Sequence, residues 1–187
     1  MEGGTRAFIA VEIPEKVKKE IAKLAAELEC GSARPVSESQ MHITLLFLGN
    51  LGGQEVSEVS DALSKIRYKE FEISINGAGT FSRRNPNVIF AGVGDGSKDL
   101  EKIHRMISEE LSGLHIKLEE RKFFPHTTIA RVHRPSPSDI SYIDGFVAAH
   151  SEDSIGSFKC REIKLKGSLL THEGPEYTDI FSVYLKP

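Results

Sequence analysis

Apolar residues recur along the chain at two spacings, and their succession predicts interleaved helices and strands. Over 14–30, Val17, Ile21, Leu24 and Leu28 share one helical stripe, with Pro14 in the first turn and Gly31 as a C-terminal stop. The spacing returns over 54–67 with Val56, Val59, Leu63 and Ile66, and over 98–112 with Leu100, Ile103, Ile107 and Leu111 between the cap Ser97 and Gly113. It returns once more over 138–149, with Ile140, Ile143 and Val147 after a Pro-Ser-Pro-Ser turn. Alternating or continuous apolar runs at 6–13, 42–48, 70–76, 88–93, 115–119, 126–133, 158–170 and 177–185 read as strands. The order is mixed, with adjacent strands as well as strand–helix–strand passages, so it fits α+β better than a doubly wound parallel sheet. No linker long enough to separate domains interrupts it, and residues 1–187 read as one domain of two lobes.

Two of these strands carry the same polar pair. His42-Ile43-Thr44 lies in MHITLLFLG and His126-Thr127-Thr128 in FFPHTTIARVH. Residues i and i+2 of a strand share a face, so each motif sets an imidazole beside a hydroxyl. Facing each other across a cleft, the pairs would grip a phosphate: one imidazole as general base, the other as general acid, and two hydroxyls on the non-bridging oxygens. A single histidine in an apolar strand is as well explained by packing; its recurrence with Thr at i+2 is what points to chemistry. The pseudo-repeat places the cleft where the sheets of the two lobes meet.

Arg131 closes the second motif, and a guanidinium suits a phosphate. Strict alternation turns 127, 129 and 131 away from His126 and Thr128, so Arg131 reaches the site only if the strand bulges or ends there. A surface salt bridge accounts for it nearly as well. His104, His115, His133, His150 and His172 lack a repeated context, and structural or solvated roles are expected of them. The glycine-rich GVGDGSK segment matches no phosphate-binding fingerprint and reads as a turn. Ser82-Arg83-Arg84-Asn85-Pro86 resembles a solvated hairpin tip that could graze an RNA strand.

Composition narrows the partners. A net charge of −3 argues against wholesale coating of nucleic-acid backbone but leaves room for a small basic cleft that takes one RNA end. No apolar run approaches the roughly 20 residues of a membrane-spanning helix. The N-terminus lacks a signal layout, so a cytoplasmic protein with no membrane partner is expected. Cys30 and Cys160 have neither metal nor redox spacing, and no His, Cys and Asp cluster has ligand spacing, so no metal is expected. No coiled-coil repeat appears, and a monomer is the expectation.

MHITLLFLG and RKFFPHTTIAR resemble the two signature motifs of the 2′-5′ RNA ligase, or RNA 2′,3′-cyclic phosphodiesterase, family of the two-histidine phosphoesterase superfamily. RAFIAVEIP and SLLTHEGPEYTDIF resemble its opening strand and closing hairpin, so the resemblance runs the length of the chain. It implies a bilobal α+β fold with two antiparallel sheets in pseudo-two-fold symmetry, a central cleft, and helices outside. It implies metal-independent and cofactor-free opening of a terminal 2′,3′-cyclic phosphate to a 2′-phosphate. His42 would be the acid to the departing 3′ oxygen and His126 the base on water. Thr44, Thr128 and Arg131 would hold the phosphate oxygens. Partners would be RNA ends carrying a cyclic phosphate, tRNA halves among them, with reversible 2′-5′ ligation in vitro. Small cyclic or 2′-5′-linked nucleotides are the alternative substrates, and a non-catalytic RNA-end binder is the rival from another class. Relatives often carry Lys where this chain has Leu46, expected on the His42 face, and a tryptophan before the first motif, where this chain has none.

Overall fold

A computed structural model describes residues 4–116, 118, 122–172 and 174–187. Its strands are β1 (Thr5–Glu12), β2 (Ala33–Pro35), β3 (His42–Leu51), β4 (Phe71–Thr80), β5 (Val88–Val93), β6 (His126–Val132), β7 (Ser154–Cys160), β8 (Glu162–Thr171) and β9 (Gly174–Tyr184). Its helices are α1 (Glu15–Ala26), α2 (Gly53–Leu63), α3 (Ser97–Leu111) and α4 (Pro137–Ala149), with a 3-10 turn at Glu38–Gln40. All four helical stripes form helices. The first stops at Ala26 rather than at Gly31. Ser97 begins α3 instead of capping it, because Gly96, at φ 79°, takes the cap position. Ser136 caps α4, accepting from the Asp139 amide at 3.2 Å, and Pro137 follows in the first turn where a missing amide costs nothing.

The fold is α+β with two antiparallel sheets. One has the order β3-β1-β8-β9 and the other β2-β6-β5-β4-β7. Helices α2 and α3 pack on β3 or on each other, whereas α1 packs on β6 and β7, and α4 on β4. Thus α1 follows a strand of the first sheet and covers the second, and α3 does the converse. The expected 158–170 run is two strands of different sheets, β7 and β8, parted at Arg161. The three-residue β2 is too short to leave a periodic signal. The expected strand at 115–119 falls partly outside the described residues, and His115, Ile116 and Leu118 are irregular.

Each sheet buries its helix-facing side. Ile9, Ile43, Leu46 and Leu165 do so in the first sheet, Ile73, Ile75, Ile89 and Ile129 in the second, all no more than 4% exposed. Thr127 lies on that buried side, fully inaccessible, and its Oγ1 has no hydrogen-bond partner among the described residues. An unmatched buried hydroxyl costs about 1–3 kcal/mol. Thr127→Val, which keeps the shape and removes the hydroxyl, should therefore raise stability by about 1 kcal/mol. The denaturant midpoint checks this, and a lowered midpoint would show that the hydroxyl does find a partner.

Candidate active site

The side of each sheet away from its helices carries the polar pairs. In the first sheet Glu12 pairs with His42 and Ala10 with Thr44; Leu45 is then skipped, so that Ile9 pairs with Leu46 and Phe8 with Phe47. The extra residue is a β-bulge, and it reverses which face the following side chains take. Leu46 therefore joins Ile9 in the core, 4% exposed, and Phe47 takes the cleft face at 50% exposure. The expectation that Leu46 shares a face with His42 and Thr44 is corrected by this bulge. In this chain the position is part of the core, and a lysine there would not be a cleft contact.

The second motif repeats the device. Gly92 pairs with His126 and Phe90 with Thr128; Ile129 is skipped, so that Ile89 pairs with Ala130 and Val88 with Arg131. Thr128 and Arg131 now face the same way, which is what the arginine required. His126, Thr128 and Arg131 in β6 thus correspond to His42, Thr44 and Phe47 in β3, and β3 lies against β6. All five residues singled out in the sequence stand on the cleft side of the two motif strands.

The carbonyl two residues earlier acts on each imidazole, and at His126 it makes a short hydrogen bond. His126 Nδ1 lies 2.7 Å from the Phe124 carbonyl oxygen, and the Gln40 carbonyl favours the protonated form of His42 in the same way. A proton held on Nδ1 by a carbonyl leaves Nε2 as the atom for proton transfer. Aromatic rings wall both sites. Phe8 stacks on His42 at 4.8 Å and the Tyr177 ring meets it edge-on at 5.1 Å. Phe81, Phe90 and Phe124 surround His126 at centroid distances of 4.9, 5.4 and 6.3 Å. These rings were not read from the sequence; only the Phe123-Phe124 pair beside the second motif hints at them.

The surroundings differ in charge. Glu12, opposite His42, is paired with Lys166 and with Lys18 at 3.4 Å; Lys166 also binds Asp179 at 2.8 Å, and Asp179 binds Lys164 at 2.6 Å. Opposite His126 stands Gly92, with no charge at all. Burial pushes His42 down to about 4, Glu12 pulling against it. Burial lowers His126 too, opposed only by the Phe124 carbonyl. Burial raises the Tyr177 hydroxyl, while Arg131, Arg6 and Lys166 pull it back, so cations of both sheets act on one ring beside His42. Such an arrangement can give and take a proton around a phosphate held by two hydroxyls and a guanidinium.

No group of three or more His, Cys, Asp or Glu able to hold a metal ion occurs among the described residues. No helix among them is long and apolar enough to cross a membrane.

Residues 11–90 match the family described as LigT like Phosphoesterase. An RNA 2′,3′-cyclic phosphodiesterase of Archaeoglobus fulgidus is 30% identical over 177 residues, covering 94% of this chain and 97% of the relative. One from Thermotoga maritima is 33% identical over 181 residues, covering 94% and 93%. Among solved structures, E. coli LigT in complex with 3′-AMP superposes with a TM-score of 0.81 at 21% identity, over 98% of this chain and 99% of that one, a likeness of fold. Sequence, fold and the doubled His-x-Thr geometry agree: the chain belongs to the LigT-like phosphoesterase family of RNA 2′,3′-cyclic phosphodiesterases and is an enzyme of that class.

Proposed function

We propose that the enzyme opens the 2′,3′-cyclic phosphate at an RNA end to leave a 2′-phosphate, with His126 as general base and His42 as general acid. The observation that carries the reading is the equivalence of the two motif strands: the same bulge after the threonine, with an imidazole and a hydroxyl on the cleft side of each strand. His126 Nε2 takes a proton from water as its oxygen attacks phosphorus; the P–O3′ bond breaks and His42 Nε2 gives its proton to O3′. The phosphorane-like state gathers charge on its equatorial oxygens, where the Thr44 and Thr128 hydroxyls and the Arg131 guanidinium donate. If the 5′-hydroxyl of a second RNA replaces water, the same steps make a 2′-5′ linkage.

The direction follows from the carboxylate behind one of the two imidazoles, whose pull on His42 outranks that of Lys166 and of Lys18. Glu12 opposite His42 favours an imidazolium there, and Gly92 opposite His126 does not. Both histidines, lowered by burial, are neutral near pH 7 until the phosphodiester anion brings its charge beside them. Phe81 and Phe124, 53% and 49% exposed beside His126, offer ring faces to bases. The 3′-AMP in the related E. coli structure supports a nucleotide in this cleft. On this reading residues 1–187 act as one bilobal domain, a monomer that needs no cofactor.

A short RNA ending in a 2′,3′-cyclic phosphate, incubated with enzyme and EDTA, should yield the 2′-phosphate. A 3′-phosphate product would reverse the leaving group, and strong inhibition by EDTA would require a metal. Tight binding without turnover would favour a binding module on the same fold.

A further inference from the structure

The second sheet holds an arginine pair that the chemistry above does not use. Strand β2 runs antiparallel to β6, with Ala33 opposite Val132, Arg34 opposite Arg131 and Pro35 opposite Ala130. Directly opposed residues share a face, and their Cβ atoms lie about 5 Å apart. Ala33 and Val132 face the core, so Arg34 and Arg131 both face the cleft. Both are exposed, and neither has a carboxylate partner among the described residues. Like charges in this position repel. Lys164 and Lys166 of the first sheet, by contrast, each meet a carboxylate, while Arg6 of β1 acts on the Tyr177 ring.

The row continues on the other flank of β6. The loop between β4 and β5 carries Arg83 and Arg84, both exposed. Its last residue, Asn87, accepts at its carbonyl from the Val132 amide at 2.9 Å, which sets the loop beside Arg131. Cations therefore cross the end of the sheet in the order Arg34, Arg131, then the loop. That is more guanidinium than one phosphate monoanion can use. It suits a chain of phosphates.

We infer that Arg34, set opposite Arg131 by the β2–β6 register, binds the internucleotide phosphate on the 5′ side of the terminal nucleotide and so selects polynucleotide ends over cyclic mononucleotides. With Arg131 on the reacting phosphate, the opposed guanidinium is placed for the neighbouring phosphate of the same strand, and the bridging anions relieve the repulsion of the pair. Arg34 acts on affinity for the RNA strand and takes no part in proton transfer. The inference rests on the cyclic phosphodiesterase reading given above.

The test compares kcat/KM on a dinucleotide ending in a 2′,3′-cyclic phosphate with that on a nucleoside 2′,3′-cyclic phosphate. Arg34→Ala removes the charge-assisted hydrogen bond to the internucleotide phosphate and should lower the ratio of the two about tenfold. A dinucleotide with an uncharged methylphosphonate linkage should lose about as much with the wild-type enzyme, and that measurement needs no variant to fold. A ratio left at its wild-type value in Arg34→Ala, or a wild-type enzyme indifferent to the uncharged linkage, would overturn the inference. Turnover of neither cyclic phosphate by the wild-type enzyme would instead overturn the underlying reading of the reaction.

Discussion

His42→Ala and His126→Ala should each lower kcat/KM on a cyclic-phosphate RNA end by about 10²- to 10⁴-fold, the usual worth of a positioned acid or base. Both side chains lie on the cleft face, and their core-facing neighbours Ile43 and Thr127 carry the packing. Loss of activity should therefore come without loss of fold, which a thermal melt run alongside would verify. Neither imidazole can serve for the other, so the double variant should lose little beyond the worse single one. A variant retaining a tenth of the wild-type rate would remove its histidine from the mechanism.

The same pair fixes a pH dependence. The base must be neutral, so the rate falls as pH drops through its pKa; the acid must be charged, so the rate falls as pH rises through its own. Burial lowers both histidines, His42 to about 4. Because kcat/KM reports the free enzyme, its bell should peak on the acid side of histidine's usual value of about 6.5. The kcat profile should sit at higher pH, since the bound phosphodiester anion favours an imidazolium. A kcat/KM profile that keeps rising through pH 8 would contradict the paired-histidine scheme.

The helices and the motif strands were legible in the sequence because amphipathic spacing is imposed by burial on one side. Four stripes became four helices, and both His-x-Thr strands stood where the apolar runs put them. Registers were not legible. A bulge is one residue inserted against a partner strand, and no period within β3 or β6 marks Leu45 or Ile129 as the inserted one. Strict alternation therefore sent Leu46 to the cleft and Arg131 away from it, and the structure reverses both. β2 was too short for periodicity, so the Arg34–Arg131 pairing, which is a fact of register alone, could not be seen either. The aromatic walls were hidden for another reason. Phe8, Phe81 and Tyr177 come from three distant strands or loops, and only the folded sheets bring each beside its histidine.

Those bulges also supply what two equal halves lack. A symmetric pair of His-Thr motifs could hold a phosphate in either of two opposite senses. Position for position, the site has Arg131 in one half and Phe47 in the other, and Gly92 against Glu12 behind the histidines. The Arg131 guanidinium draws the charged oxygens toward the second sheet, and the Phe47 ring supplies no donor at the equivalent position of the first. Arg131→Ala should accordingly lower kcat by about 10²- to 10³-fold, the scale for a donor aimed at charge that develops in the transition state. Arg131→Lys should recover only part, because an ammonium keeps the charge and loses the planar fork. Stability should move by less than about 0.5 kcal/mol, since Arg131 is exposed and has no carboxylate partner among the described residues. Deleting Ile129 should behave differently. Removing the inserted residue restores strict alternation and turns Arg131 toward the core side now held by Ala130 and Val132, so activity and fold should be lost together. Steady-state rates and denaturant midpoints for the three variants separate the cases. If Arg131→Ala costs less than about threefold in kcat, far below that expected scale, the guanidinium is not on the reacting phosphate and the bulge in β6 serves only the sheet.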